Sequence, residues 1–181
     1  MVKTIKGTAD SLKALVFEPL PRNSKRWDHG ALVYSLLENV SRSAFPQKPT
    51  IAICIKNRST RTKLTTALNE MELRVISIEN GLDVLEYLGD VVLLGSRGIT
   101  PDLVVTDAKL KGRQGTDLVE GLRQAGWRVP FVILTGKNGK LRTRARMLQM
   151  VLGDMVVFEG KYDIDDLLTA IFFLLDRTRK Q

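Results

Sequence analysis

From Thr50 onward the chain alternates, five times over, between a short apolar run and a longer stretch with helical spacing. No other feature constrains the fold as strongly. The runs are "TIAICI" (50–55), "RVISI" (74–78), "DLVVTD" (102–107), "PFVILTG" (130–136) and "MVVFEG" (155–160). Strands that are apolar at nearly every position, rather than at every second one, have both faces covered. Five of them separated by helical segments imply a parallel sheet packed on both sides by helices. Residues 50–181 therefore read as one α/β domain.

The helical stretches carry matching local signals. "STRTKLTTALNEM" places Leu64, Ala67, Leu68 and Met71 on one side, and "NGLDVLEYL" follows the second strand. "GTDLVEGLRQAG" closes on Gly126, and "KLRTRARMLQMVLG" precedes the fifth strand. "DIDDLLTAIFFLLDRTRK" has acids at its front and bases at its back, as the helix dipole favours, with Asp163 as its N-cap. Residues 1–49 form an N-terminal extension of different character. "KALVFEP" reads as one strand, Pro19 and Pro21 break the chain after it, and "FPQKPT" reads as a linker. Between them "DHGALVYSLLENVSRSA" (28–44) reads as an amphipathic helix with Leu32, Leu36, Leu37 and Val40 toward one side. That arm either packs on its own domain or serves as a dimerisation or partner-docking helix.

Several function classes fall away. Cys54 is the single cysteine and sits in an apolar run, which fits a reducing cytoplasm. No apolar stretch of about 18 residues predicts a membrane span, and "MVKTIKGTADS" lacks the apolar core of a secretory signal. A cytoplasmic protein is expected. His29, the only histidine, has no evident partner for base catalysis. Trp27 and Trp127 read as packing residues or interface anchors. There is no zinc spacing and no phosphate-cradling glycine loop. The formal charge is +8, from eight Lys/Arg against four acids in residues 1–49 and twenty against sixteen in 50–181. Such a balance permits nucleic-acid or acidic-protein partners without requiring either.

"PDLVVTDAKLKGRQGTDLVEGLR" ends a buried-looking strand on Asp107, at the edge where open α/β sheets place their chemistry. This segment resembles the phosphoacceptor strand, loop and helix of the receiver domains of bacterial response regulators. "VPFVILTG", ending on Thr135, resembles the family's fourth strand with its switch hydroxyl. "VFEGKYDIDDLLTAI" resembles the stretch that carries its lysine, and "ENGLDVLEYL" its second helix. The resemblance spans residues 50–177. It implies a flavodoxin-like, doubly wound, five-stranded parallel sheet of order 2-1-3-4-5. It also implies Asp107 as candidate phosphoacceptor, with Thr135, Lys161 and Phe158 as candidate switch residues.

The chain departs from the family at the metal site. An acidic pair after the first strand would join the acceptor aspartate in holding Mg²⁺. The matching positions here are Ile55 and Lys56, or Lys56 and Asn57 in the neighbouring register. Neither choice supplies an acid, and one carboxylate plus loop carbonyls makes a poor site for Mg²⁺, which requires hard oxygen ligands. No metal or other cofactor is expected, Mg²⁺ entering only if Asp107 is phosphorylated. The lysine position has its own ambiguity. Direct alignment places Gly160 there and Lys161 where the family has proline, and a one-residue bulge restores Lys161. The same slip decides whether Val157 or Phe158 holds the aromatic switch position.

Basic residues replace the acids. Lys56 and Arg58 follow the first strand, Lys109, Lys111 and Arg113 the third, and Lys137 and Lys140 the fourth. The fold brings these three loops to one edge, around Asp107. Arg142, Arg144 and Arg146 extend the run along the next helix. One reading pairs the Lys56 charge with Asp107, and another makes the basic mouth an anion site.

The expected function is an atypical receiver-like module, not an enzyme. It would act through contacts with a histidine kinase or downstream effector, without Mg²⁺-dependent aspartyl phosphorylation. The face built by the helix at 140–153, the fifth strand and the last helix is the first place to look for a partner, with Val156, Phe158, Phe172 and Phe173 as candidate apolar anchors, most of them expected to face the core. Homodimerisation is a further partner mode. The alternatives are an active two-component phosphoacceptor on Asp107 and a nucleic-acid-associated regulator using the basic mouth.

Overall fold

A computed structural model describes residues 48–87 and 99–179, apart from 82, 85, 113 and 138. The expected strand and helix of the N-terminal extension, with Trp27 and His29, lie outside the described residues. The elements are β1 (Thr50–Cys54), α1 (Arg58–Glu70), β2 (Arg74–Ser77), β3 (Leu103–Asp107), α2 (Gly115–Gln124), β4 (Phe131–Gly136), α3 (Gly139–Leu152), β5 (Met155–Glu159) and α4 (Ile164–Arg179). Between β2 and β3, Gly81, Asp83, Val84, Glu86 and Tyr87 are helical, within the stretch expected as a helix. The strands form one parallel sheet of order β2-β1-β3-β4-β5, the order expected from the sequence.

Continuous apolarity is explained by the two cores. Ile51, Ile53 and Ile55 enter one cluster with Leu64 and Leu68 of α1 and Leu167, Leu168 and Ile171 of α4. Ala52 and Cys54, facing the other way, join Leu118 and Val119 of α2 and Leu141 and Ala145 of α3. A polar residue at either parity would be buried, so the strand reads as a run. Each fully buried large side chain contributes about 1.5–3 kcal/mol.

Local chemistry fixes the helix starts. Asn57 caps α1, its side-chain oxygen accepting from the Thr60 amide at 3.0 Å. Asp163 caps α4 as expected: it accepts from the Asp166 amide at 2.8 Å, and its own amide donates to Asp166 at 3.1 Å. At the opposite edge of the sheet, the Arg123 guanidinium donates to the carbonyls of Trp127 and Val129 and to the Asp154 carboxylate, each at 2.7 Å. It also lies over the Phe131 ring. This clamp ties α2 to the entries of β4 and β5.

Phe131→Ala should lower unfolding free energy by about 3–5 kcal/mol, since the ring is fully buried. Lys63→Ala, on the exposed side of α1, should change it by no more than about 0.5 kcal/mol. Urea titrations of both variants check the contrast.

Candidate functional site

Buried strands leave charge only at their ends. Asp107, the last residue of β3, is the first acid that β3 carries to the carboxyl edge of the sheet. One carboxylate oxygen accepts from the Lys56 amide at 2.6 Å, which staples the exit of β1 to the exit of β3. Burial holds this carboxyl above the usual carboxylate range, offset in part by the Lys56 amide and then by the Lys56 charge. Gly115 closes the other side. A Cβ there would overlap the Asp107 carbonyl oxygen and press on the Thr106 methyl. Only glycine lets the start of α2 come this close to the acid.

β1 decides the chemistry beside it. Ile55 is fully buried in the α1/α4 core, while Lys56 and Asn57 are exposed. The direct contact between Lys56 and Asp107 is made by the Lys56 main chain, and the Lys56 charge acts on the acid without an ion pair. Among the described residues the Lys56 ammonium makes no ion pair within 4 Å. The Asn57 side-chain oxygen is committed to the α1 cap. Among the described residues no group of three His, Cys, Asp or Glu side chains is arranged to hold a metal ion.

The three switch candidates separate. Thr135 is buried, and its hydroxyl donates to the Phe158 carbonyl at 3.0 Å, joining the ends of β4 and β5. Phe158 pairs with Leu134 across the sheet and packs toward α1 and α4, whereas Val157 packs on the opposite face. The register shifts between Leu134 and Gly136, and Gly160 turns the chain with a φ of 78°. Lys161 therefore stands beyond the strand, exposed.

Tyr162, three residues past the strand, was not among the sequence candidates. Its ring meets Phe158 edge-on at 6.0 Å. Burial, then the negative charge of Asp107, pushes its phenol up. Only its adjacency to Lys161 in the "GKYD" loop could have drawn attention to it. Arg61 was also missed. It donates to the Ile55 carbonyl at 2.9 Å and pairs with Glu79 at 2.7 Å, bracing the β1 exit from within α1.

The basic residues fall into two groups. Lys56, Arg58, Lys109, Lys111, Lys137 and Lys140 are all exposed, on the loops after β1, β3 and β4 and the first turns they enter; Arg113 lies outside the described residues. The arginines of α3 are engaged elsewhere. Arg144 pairs with Asp117 and Glu120 of α2, and Arg142 and Arg146 pair with Glu159 of β5. Val156, Phe158 and Phe173 pack against the core and Phe172 is buried within it, so the expected apolar anchors are core residues.

Comparison with known proteins matches residues 51–171 to the model of the response regulator receiver domain. No curated protein matches the chain. Among solved structures, it is similar to the signal receiver domain of an HD domain-containing protein from Pseudomonas fluorescens Pf-5. That match has 20% identity and a TM-score of 0.60, covering 75% of this chain and 100% of that one. A response regulator receiver domain protein from Clostridium thermocellum gives 20% and 0.58, covering 73% and 98%. The BeF3-activated receiver domain of RstA from Klebsiella pneumoniae gives 21% and 0.54, covering 70% and 97%.

Because burial raises the Asp107 pKa in the folded protein, folding favours the protonated acid. The native state then holds the proton more tightly than the unfolded chain. Stability at this position is full below the unfolded carboxyl pKa and falls as pH rises through the raised folded value. Asp107→Asn, which keeps an acceptor for the Lys56 amide, should unfold at higher urea than the parent at pH 7. The difference should shrink toward pH 4, as urea midpoints at the two pH values will report.

Proposed function

The chain belongs to the response regulator receiver domain family, and on that premise we propose that it is an atypical receiver. It is a non-enzymatic, cytoplasmic signalling module that works through protein contacts without Mg²⁺-dependent phosphorylation of Asp107. The observation that carries this reading is the pair of residues at the β1 exit. A buried isoleucine and an exposed lysine stand where the metal would need carboxylates.

The residues present do not fit Mg²⁺. Asp107 offers one carboxylate, with one oxygen already bonded to the Lys56 amide, and the adjoining side chains are an alkyl group, a cation and a capping amide. Mg²⁺ demands several hard oxygens in near-octahedral array. Without a bound metal ion to relieve charge repulsion, a carboxylate approaches a phosphoryl donor against it. In place of a reaction, these residues hold one arrangement of the edge. The Lys56 amide fixes the acid, the Thr135 hydroxyl fixes β5 to β4, and Tyr162 packs its ring on Phe158 beside them. The domain then presents a standing surface to its partner, a histidine kinase or a downstream effector.

The test is intact-mass measurement after incubation with Mg²⁺ and a small acyl phosphate. The parent should gain no phosphoryl adduct and show no Mg²⁺-dependent rise in melting temperature. Lys56→Asp, a change at an exposed position, should gain the Mg²⁺-dependent rise. An adduct on the parent that disappears in Asp107→Asn would sink the proposal and establish a working phosphoacceptor.

A second reading is favoured by the six exposed cations of the mouth, which make no ion pairs among the described residues while the α3 arginines are neutralised locally. It takes the mouth as a site for the phosphate backbone of nucleic acid. Binding to duplex would then weaken steeply with salt. Each Lys→Ala change at Lys109, Lys111 or Lys137 would reduce the log–log slope by about 0.9. Duplex binding that ignores ionic strength, or that is absent at physiological salt, removes this reading.

A further inference from the structure

Among the described residues, four large apolar side chains are exposed, and three of them share one helix. Met147, Met150 and Val151 are 63%, 86% and 81% exposed. Their spacing places them together on one face of the last two turns of α3. Nothing in the packing of the sheet requires this stripe, because α3 anchors itself through Leu141 and Ala145. A contiguous exposed apolar strip on a helix marks a surface that another element covers.

We propose that the chain's own segment 28–44 covers it, laying Leu32, Leu36, Leu37 and Val40 against Met147, Met150 and Val151. The geometry allows this directly. α3 runs back toward the amino edge of the sheet and ends there: Asp154, just beyond it, accepts from the amide of Phe131, the first residue of β4, at 3.1 Å. β1 starts at the same edge, where the Arg74 amide donates to Pro49 and the Asp102 amide to Thr50. β1 and β5 are three strand spacings apart in the sheet, about 14 Å. The five residues 45–49 between that segment and β1 reach up to about 17 Å when extended.

A route exists as well. A groove of about 1060 Å³ crosses this edge, lined by Lys48, Thr50, Pro101, Trp127 and Val129, so it opens where the extension joins β1 and leads to the entry of β4. The tether also selects the occupant. A segment held by so short a linker acts at an effective concentration on the order of millimolar. A second copy of the chain at micromolar concentration does not compete with that.

Cys54 makes the test simple. It is buried, and burial followed by the Asp107 charge pushes its thiol up to about 12, so it stays silent to maleimide near neutral pH. The 181-residue chain with Met150→Cys then carries one reactive thiol. Its alkylation should be slower, by about tenfold or more, than in the same protein with Leu36→Asp and Leu37→Asp added. The rate should not depend on protein concentration. Met147→Cys repeats the measurement on the same stripe. Lys63→Cys, on the exposed side of α1, should label fast in both backgrounds and monitors unfolding. Equal alkylation rates for the Met150→Cys protein with and without the two aspartates would overturn the proposal. Protection that fades on dilution would also overturn it, assigning the stripe to a second copy.

Discussion

β1 and β3 are covered on both faces along nearly their whole length, so neither strand holds a charge until it reaches the edge of the sheet. This constraint sets the site. Ile55 still lies inside the core and Lys56 is the first residue free of it, while one strand over Asp107 is the first acid to emerge. The hydrogen bond from the Lys56 amide to Asp107 joins the two exits at the point where each leaves the apolar layer. The acceptor of that bond is a half-buried carboxyl group whose ionisation burial disfavours. Gly115 then allows α2 to begin directly against it. Shifting β1 by one residue would exchange its two cores and bury Lys56, and in neither register does the strand bring a carboxylate to the site.

How far this was legible in the sequence differs from element to element. The strands were readable because a layer covered on both faces tolerates almost no polar residue, and "TIAIC", "LVVTD" and "FVILT" have few. Their bounds agree with the structure to within a residue at most ends. Asp107 was readable because it ends such a run. The partner of Asp107 was not, since sequence identifies Lys56 by its charge and the structure uses its main chain. The β5 exit was ambiguous for a related reason. A register shift opposite Gly136 and a positive φ at Gly160 are backbone events, and they carry Lys161 out to solvent and Tyr162 back toward the acid.

The charge pattern was legible in number but not in pairing. Counting cations along 137–146 suggests one continuous basic strip, yet α3 divides it. Arg144 reaches across to α2, and Arg142 and Arg146 reach down to Glu159. Exposed pairs of this kind contribute about 0–1 kcal/mol each. Their consequence is positional, since they orient α3 between α2 and β5 and remove three cations from the mouth's field. What remains at the mouth is mainly lysine, a strongly hydrated point charge suited to loose anion contacts rather than to bidentate ones.

α3 was the least readable helix because its apolar residues occupy two faces. Leu141 and Ala145 point into the core, whereas Met147, Met150 and Val151 point away from it. A periodicity reading merges the two sets and sees only a hydrophobic helix. The apolar face and the basic mouth therefore meet in one element: α3 starts beside Lys137 and Lys140 at the carboxyl edge and finishes with its bare stripe at the amino edge. Its ion pairs hold it along the middle, with Leu141 and Ala145 locked in the core. Moving this helix would break these ion pairs and the Leu141 and Ala145 packing together. Coupling between its two ends would need such a two-state movement. This packing instead favours two surfaces held in a constant relation, as the proposed receiver without a phosphorylation cycle would require.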